Sequence, residues 1–224
     1  MPERIFVATR KGLFVVTREG GKWAVQEAHF LGENLPMVLP DKRSGRVWAA
    51  FSHGHFGGKM QRSRDGGKTW EPCEEPKYPE PTPGEEPVTD MWGRPMPSTL
   101  QLIWALEATG RDGELWCGTI PGGLFHSTDA GDSWQLNRPL WDMPQRRQWM
   151  GGGADWPGVH SVCIDPRNPD RLLVAVSCGG VWLSEDAGKS WSCRTTGMRA
   201  EYMPPERQFD PLIQDPHRLA YCSA

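Results

Sequence analysis

The chain has 224 residues and a formal net charge of −3, which is long enough for one sizeable hydrophobic core. No Lys/Arg-rich segment is present, which excludes the electrostatic footprint of a nucleic-acid-binding protein. No apolar run approaches the ~18 residues that a membrane helix needs, and Met1–Phe6 has no apolar signal segment. The 26 Gly and 21 Pro favour short strands and many turns.

The cysteines have no CxxC pairing, and two of them lie in apolar, strand-like runs. This pattern predicts reduced thiols and a cytoplasmic location. The six are Cys73, Cys117, Cys163, Cys178, Cys193 and Cys222.

Strand-like segments recur along the whole chain. Four of them have the length and the central turn of a two-stranded hairpin, and two more strands lie upstream of the last two hairpins. In chain order, the segments are Ile5–Phe14, Val47–Met60, Ile103–Ala108, Leu115–Phe125, His160–Asp165 and Leu172–Trp182.

An eight-residue motif follows each hairpin. Three copies fit S-x-D-x-G-x-[ST]-W without gaps: Ser63–Trp70, Ser127–Trp134 and Ser184–Trp191. Val16–Trp23 is an eroded fourth copy, with Arg18 in the aspartate position. Repetition at this spacing is the mark of a repeat architecture.

The chemistry of the motif is that of a turn. The aspartate carboxylate accepts hydrogen bonds from backbone N–H groups of its own turn, and the glycine supplies a positive φ. The tryptophan then begins the next strand and buries a large apolar surface. We therefore predict a structural rather than catalytic role for Asp65, Asp129 and Asp186.

The repeating unit is four short strands, A to D, with the motif between C and D. Such units form the blades of an all-β β-propeller, predicted here as a single domain spanning 1–224. The blades cover about 35–75, 99–140 and 159–198, with partial blades at 1–30 and 210–224 and insertions at 76–98 and 141–158. His217–Ser223 is predicted as a further strand A.

This strand count gives about four blades. His217–Ser223 could join the three strands of 1–30 and close a four-bladed ring, but such rings are uncommon, so an incomplete propeller is predicted. An incomplete ring exposes apolar blade faces, so self-association through open blade edges is expected.

The repeats resemble the BNR/Asp-box superfamily, which includes sialidases, some endoglucanases, sortilin-type receptors and a photosystem II assembly factor. The segments HGHFGGKMQRSRDGGKTW, LLVAVSCGGVWLSEDAGKSW and GMRAEYMPPE are similar to bacterial proteins labelled sialidase-like or glycosyl hydrolase. The resemblance implies a propeller that binds or hydrolyses glycans. Its assembly-factor members imply an alternative role as a protein-interaction scaffold.

The sequence departs from catalytic sialidases. Their Phe/Tyr-Arg-Ile-Pro element has no counterpart, since Glu3–Phe6 lacks the proline. The tyrosines available as a nucleophile are Tyr78, Tyr202 and Tyr221. True sialidase chemistry is therefore not expected.

Three carboxylates are candidate catalytic groups. Glu107 lies on an inner strand A among apolar residues, where burial raises a carboxyl pKa. Asp155 and Glu201 lie in loops that join one blade to the next. Two carboxylates across the channel mouth would serve as general acid and base on a glycosidic bond.

Aromatic residues in the insertions are candidate ligand contacts. Trp92, Trp141, Trp149 and Trp156 lie outside the repeated motif, and their flat faces suit sugars; the alternative is that they anchor long loops. Arg199 and Tyr202, beside Glu201, are further candidate ligand-binding residues.

The histidines suggest a third function, a metal-dependent enzyme. His53 and His55 share a strand face if the strand continues through them. His160 and His217 each open a predicted strand A. Imidazoles that converge on a channel bind divalent metals. No other cofactor is expected; the expected partners are a carbohydrate or a protein, with no nucleic acid and no membrane.

Overall fold

The computed structural model describes residues 3–53, 57–81, 84, 88–90 and 92–222. The chain divides into two compact units, Met1–Glu75 and Pro76–Ala224, and each is described by itself. The prediction of a single domain stays a prediction. None of the helices in the described residues is long and apolar enough to cross a bilayer.

Unit 1 (Met1–Glu75) contains two antiparallel sheets. Sheet 1 has three strands in the order β1-β2-β3, and sheet 2 has four in the order β4-β5-β6-β7. The strands are β1 (Arg4–Thr9), β2 (Gly12–Glu19), β3 (Lys22–His29), β4 (Met37–Pro40), β5 (Val47–Ser52), β6 (Gly58–Ser63) and β7 (Glu71–Cys73).

Unit 2 (Pro76–Ala224) contains two four-stranded antiparallel sheets and short helices. Sheet 3 comprises β8 (Leu102–Ala108), β9 (Leu115–Ile120), β10 (Leu124–Ser127) and β11 (Gln135–Leu136). Sheet 4 comprises β12 (Val159–Asp165), β13 (Asn168–Val176), β14 (Gly180–Ser184) and β15 (Ser192–Cys193). The helices are α1 (Arg138–Trp141) and the 3-10 turns Pro144–Gln148 and Pro205–Arg207.

The predicted class, all-β with four-stranded antiparallel blades, is confirmed. Sequential strands pair throughout, so each blade is a meander with strand A at one side and strand D at the other. This meander places the A–B and C–D turns at one edge, called here the box edge. The B–C turns and the segments after strand D lie at the opposite edge, called here the loop edge.

Two local predictions need correction. Residues 19–22 form a tight hairpin with positive φ at Gly20 and Gly21, and Trp23 is 46% exposed instead of buried. Arg18 stands in the aspartate position and has no carboxylate to accept hydrogen bonds from the backbone N–H groups of the turn. At the other end, residues 217–222 of the predicted strand His217–Ser223 form no strand. The Leu219 N–H instead donates to the Ser161 hydroxyl of β12 at 3.1 Å.

The three complete motifs form the same turn. In the copy that contains Asp129, carboxylate Oδ1 accepts the Ser133 N–H at 2.9 Å and Oδ2 accepts the Ser133 hydroxyl at 2.6 Å. The Ser127 hydroxyl donates to Oδ1 at 2.8 Å and accepts the Gly131 N–H at 2.9 Å. The turns of Asp65 and Asp186 repeat these bonds. Each carboxylate thus saturates its own turn.

The blades of unit 2 are joined by a shared core and by polar contacts of Asn137, which directly follows β11. The Asn137 carboxamide oxygen accepts the Trp191 indole N–H at 3.0 Å and the Leu140 N–H, which caps α1. Its amide nitrogen donates to the Gly188 carbonyl at 2.9 Å. The core cluster comprises Ala105, Trp116, Leu124, Leu140, Trp149, Val159, Val162, Leu172, Val174, Val176 and Trp182.

Candidate functional site

Both insertions of unit 2 fold onto its loop edge. Tyr78 holds the first of them: its hydroxyl lies 2.6 Å from the Thr119 hydroxyl and accepts the Gly123 N–H at 3.1 Å. Burial raises the pKa of Tyr78 well above its usual range. The Pro-rich segment is therefore anchored to the B–C turn of sheet 3.

An aromatic and cationic cluster joins the two insertions. Residues 88–90 pair with residues 94–96 in an antiparallel arrangement. The Asp90 carboxylate accepts the N–H groups of Trp92 and Arg94 at 2.9 and 2.8 Å. The Arg94 guanidinium carbon lies 5.2 Å from the ring centroid of Trp92 and 4.8 Å from that of Trp156. Arg94 also donates to the Asp155 carbonyl at 3.0 Å. We call Trp92, Arg94 and Trp156 the loop-edge cluster.

The exposure of the loop-edge cluster suits a binding surface. Trp92 is 57% exposed, although large aromatic side chains are usually buried. The buried Asp90 carboxylate acts as a hydrogen-bond acceptor, and its second oxygen accepts the Arg94 Nε–H at 2.7 Å. This ion pair fixes the guanidinium beside the two rings.

A cavity of about 460 Å³ opens beside the same insertions. The Arg146 guanidinium carbon lies 3.3 Å from the centroid of the Trp141 ring, a close cation–π contact. Burial lowers the pKa of Arg146 to about 10, so the side chain keeps its charge at neutral pH. The cavity is lined by Val88, Trp141, Asp142, Met143, Pro144, Arg146 and Arg147.

Trp149 does not belong to this surface. It is 1% exposed and lies in the core, with its ring 6.0 Å from that of Trp182. Trp149 anchors the second insertion between the B–C turns near Gly122 and Gly179, and its predicted contact with ligand stays a prediction.

Glu107 has the environment that its position predicts. It lies on β8, and burial raises the pKa of its carboxyl group, opposed by the Arg218 guanidinium 3.8 Å away. Burial shifts such a carboxyl group towards its protonated form, which is the direction that a general acid requires.

The other two candidate carboxylates are exposed and have different surroundings. Asp155 contributes its backbone carbonyl to Arg94, and its side chain faces solvent. The Glu201 side chain is 78% exposed and lies 3.5 Å from the Arg199 guanidinium. Glu107, Asp155 and Glu201 thus share no partner.

Tyr202 and Arg199 shape the segment after β15. The Tyr202 hydroxyl donates to the Ile213 carbonyl and lies 3.3 Å from Cys178 Sγ. Arg199 donates from Nε to the Gln208 carboxamide at 2.8 Å. Both side chains hold the segment together, although Tyr202 is still 58% exposed.

Two of the predicted histidines come together. The rings of His160 and His217 stack with centroids 5.7 Å apart, and each Nε2 faces a different oxygen of Asp215, at 3.6 and 3.5 Å. His160 is also edge-on to Trp104. Burial lowers the pKa of His160, partly opposed by the Asp215 carboxylate, so this imidazole is neutral at neutral pH.

The remaining histidines lie in unit 1. His53 Nε2 is 3.6 Å from Glu33 Oε2, and His55 falls outside the described residues. Within the described part of the chain, no three His, Cys, Asp or Glu side chains are grouped so as to hold a metal ion. The divalent metal, whose proposed ligands include His55, stays a prediction.

Sequence reasoning missed the residues that organise the loop edge, namely Tyr78, Arg94 and Arg146. Arg94 is two residues from Trp92, and Arg146 lies between Trp141 and Trp149, so proximity to the insertion tryptophans was a usable signal. The hydrogen-bond partners of Tyr78, Arg94 and Arg146 lie 25 to 61 residues away in sequence, and no sequence pattern indicated these pairings.

Comparison with known proteins supports the repeat and the fold. Residues 61–72 match the BNR/Asp-box repeat family model. The oligoxyloglucan-reducing end-specific xyloglucanase of Emericella nidulans is 34% identical over 79 residues, or 35% of this chain and 9% of that protein. A xyloglucanase of a Paenibacillus species is 27% identical over 149 residues, or 54% of this chain and 14% of that protein. The chain spans about a seventh or less of either relative.

Two solved structures resemble the chain in fold. The GH74 xyloglucanase from Xanthomonas campestris matches with a TM-score of 0.55 and 16% identity over 88% of this chain and 28% of its own. YCF48 from Cyanidioschyzon merolae matches with a TM-score of 0.50 and 20% identity over 88% of this chain and 54% of its own. At these identities the likeness concerns the fold of the blades.

Proposed function

We propose that this Asp-box repeat protein is a glycoside-hydrolase-like propeller protein that binds an oligosaccharide on the loop edge of unit 2. The loop-edge cluster carries the proposal, because it presents an exposed indole beside a fixed guanidinium. Aromatic faces pack against the C–H faces of pyranose rings, and guanidinium groups donate to hydroxyl oxygens.

The ligand class follows from the relatives. Two sequence relatives are named xyloglucanases, which supports a glucan-type oligosaccharide as the first ligand to test. The sialidase-like label has support only in the repeated motif, and the two motifs of unit 2 lie on its box edge, away from the cluster.

Calorimetric titration of the full chain with xyloglucan oligosaccharides tests binding. We expect Trp92→Ala to weaken binding about tenfold, the scale on which buried aromatic contacts act in interfaces. Trp23→Ala is the matched control, because Trp23 is 46% exposed but lies on sheet 1. Equal affinities for wild type and Trp92→Ala would refute the cluster as the binding surface.

Hydrolysis is a separate part of the proposal, with Glu107 as the acid. Glu107 lies near the box-edge end of β8, so it would act on a part of the saccharide away from the loop-edge cluster. Burial favours its protonated form, which is the form that protonates a leaving oxygen. Glu107→Gln is expected to abolish the release of reducing ends from xyloglucan while leaving oligosaccharide affinity unchanged. A wild-type chain that binds but releases no reducing ends would refute hydrolysis and leave binding standing.

A second candidate function, protein binding, is favoured by the outer face of sheet 1. Ile5, Val7, Trp23 and Val25 are 39–60% exposed, and strand register puts Ile5 and Val25 in one row across Val16. An apolar sheet face of this kind is typical of an interaction surface. We expect the bound protein to be a second copy of this chain.

A further inference from the structure

The cavity beside α1, called here the Arg146 cavity, contains a buried cation that forms no ion pair in the described residues. The Asp142 carboxylate attracts it without reaching ion-pair distance. We propose that the cavity binds the carboxylate of a sugar acid, a uronic acid unit of an oligosaccharide. This inference rests on the proposed function in that the ligand is a saccharide, but the anion site itself depends only on the cavity.

Arg146 is the first observation. The residue is 6% exposed, and across the described residues it forms no ion pair and its Nε makes no hydrogen bond. In the described residues its side chain donates from Nη2 to the Pro121 carbonyl at a long 3.4 Å. An unpaired buried charge is costly, and proteins ordinarily satisfy it with a counter-ion and good hydrogen bonds.

Trp141 determines how the cation is presented. The guanidinium carbon is 3.3 Å from the ring centroid, so the ring covers one face of the group. The N–H donors of a guanidinium lie in its plane and form a fork that matches the two oxygens of a carboxylate. The uncovered edge of Arg146 is therefore the part suited to a planar anion.

The other charges of the cavity favour an anion. Arg147, exposed to solvent, supplies a second cation to the lining. Asp142 supplies a carboxylate, but that group already pairs with Arg138 at 3.0 Å. The local balance is positive, because the negative charge is compensated from outside the cavity.

The walls and the volume favour a sugar ring over a bare ion. Val88, Met143 and Pro144 give apolar surface next to the Trp141 ring. The volume of about 460 Å³ falls in the range of about 300–1,000 Å³ that is usual for small-molecule sites. A pyranose with its carboxylate on Arg146 would use both the apolar walls and the cation.

The test compares two sugars that differ in one group. The full chain is titrated with D-glucuronate and with D-glucose, which has CH₂OH in place of the carboxylate, and binding is followed by ligand-observed NMR. We expect glucuronate to bind at least about tenfold more tightly, since one bidentate charge-assisted contact separates them. Sodium acetate and inorganic phosphate are the probes for a free anion.

Variants assign the effect to the cavity. Arg146→Gln is expected to abolish the preference for glucuronate, Arg147→Gln to reduce it, and Asp142→Asn to increase it. Arg194→Gln is the matched control, because Arg194 is an exposed arginine at the end of sheet 4 outside the cavity. If Arg146→Gln does not fold, the opposite effects expected for Arg147→Gln and Asp142→Asn still decide the matter.

Each other outcome overturns a different statement. Equal, Arg146-independent affinities for glucuronate and glucose would refute the anion site and leave the proposed function intact. Binding of acetate or phosphate as tight as that of glucuronate would refute the sugar acid as ligand. If the wild type prefers glucuronate but shows no xyloglucan binding that depends on Trp92, the proposed function is refuted and the anion site stands.

Discussion

The two edges of unit 2 are built in different ways. At the box edge, Asp129 and Asp186 bind groups no more than four residues away, and the two turns have the same hydrogen bonds. At the loop edge, Tyr78, Arg94 and Arg146 reach partners 45, 61 and 25 residues away, and no arrangement repeats. The repeated edge stabilises the blades, whereas the unique edge provides an exposed cluster and a cavity.

Trp149→Ala should have the largest effect and would sharpen this comparison, because Trp149 lies on the loop edge but acts as core. Removing a 1%-exposed tryptophan should lower the free energy of unfolding by about 3–5 kcal/mol. Urea denaturation measures the loss. Trp149→Phe should cost much less, since it keeps the ring and removes an indole N–H that has no partner in the described residues. A Trp149→Ala protein of wild-type stability with weakened ligand binding would reverse the assignment.

Asp129→Ala tests the box edge. The substitution leaves the amide of Ser133 without its acceptor, so we expect a loss of about 1–3 kcal/mol in the free energy of unfolding. Thr128→Ala, in the same exposed turn, should stay within about 0.5 kcal/mol. Oligosaccharide affinity of the folded protein should not change. Weakened binding at unchanged stability would contradict the purely structural role of the motif.

Acid should separate the carboxylates by their surroundings. The hydroxyl and N–H of Ser190 lower the pKa of Asp186 to about 2, so the stability it provides is present above pH ~4 and is lost as the pH falls towards 2. Glu107 should have the opposite effect. Burial raises its pKa, so protonation in acid removes the cost of burying its charge and stabilises the fold.

Denaturation curves from pH 6 to pH 2 compare the wild type with Asp186→Asn and Glu107→Gln. The difference in the free energy of unfolding between the wild type and Asp186→Asn should become smaller below pH 4. The difference between the wild type and Glu107→Gln should change at a higher pH, and there acidification should stabilise the wild type relative to the variant. Curves that run parallel for either variant would mean that its carboxylate is not perturbed by the fold.

Trp23→Lys should have the smallest effect on stability, within about 0.5 kcal/mol, because the side chain is 46% exposed. Its expected effect is on association. If sheet 1 forms a contact between copies of the chain, light scattering should show less dimer for Trp23→Lys than for wild type at the same concentration. A wild type that stays monomeric at high concentration would remove sheet 1 as an interaction surface.

The sequence by itself determined the repeating part of this protein. Three gapless motifs predict the turns, and the apolar segments around them predict strands such as Ile103–Ala108 and His160–Asp165, each of which begins one residue earlier in the structure. These predictions succeed because a hairpin and its turn are satisfied by neighbours in sequence. The raised pKa of Glu107 also followed from its place on an inner strand.

Only the tertiary structure decided which residues outside the repeats form a site. From sequence the four insertion tryptophans were equivalent, but Trp92 is exposed, Trp141 stacks on a buried arginine, and Trp149 is core. The sequence signal for Arg146 was limited to its position between Trp141 and Trp149, because its importance comes from burial without an ion pair in the described residues. Burial and charge pairing depend on contacts between distant segments, and a motif of eight residues does not encode them.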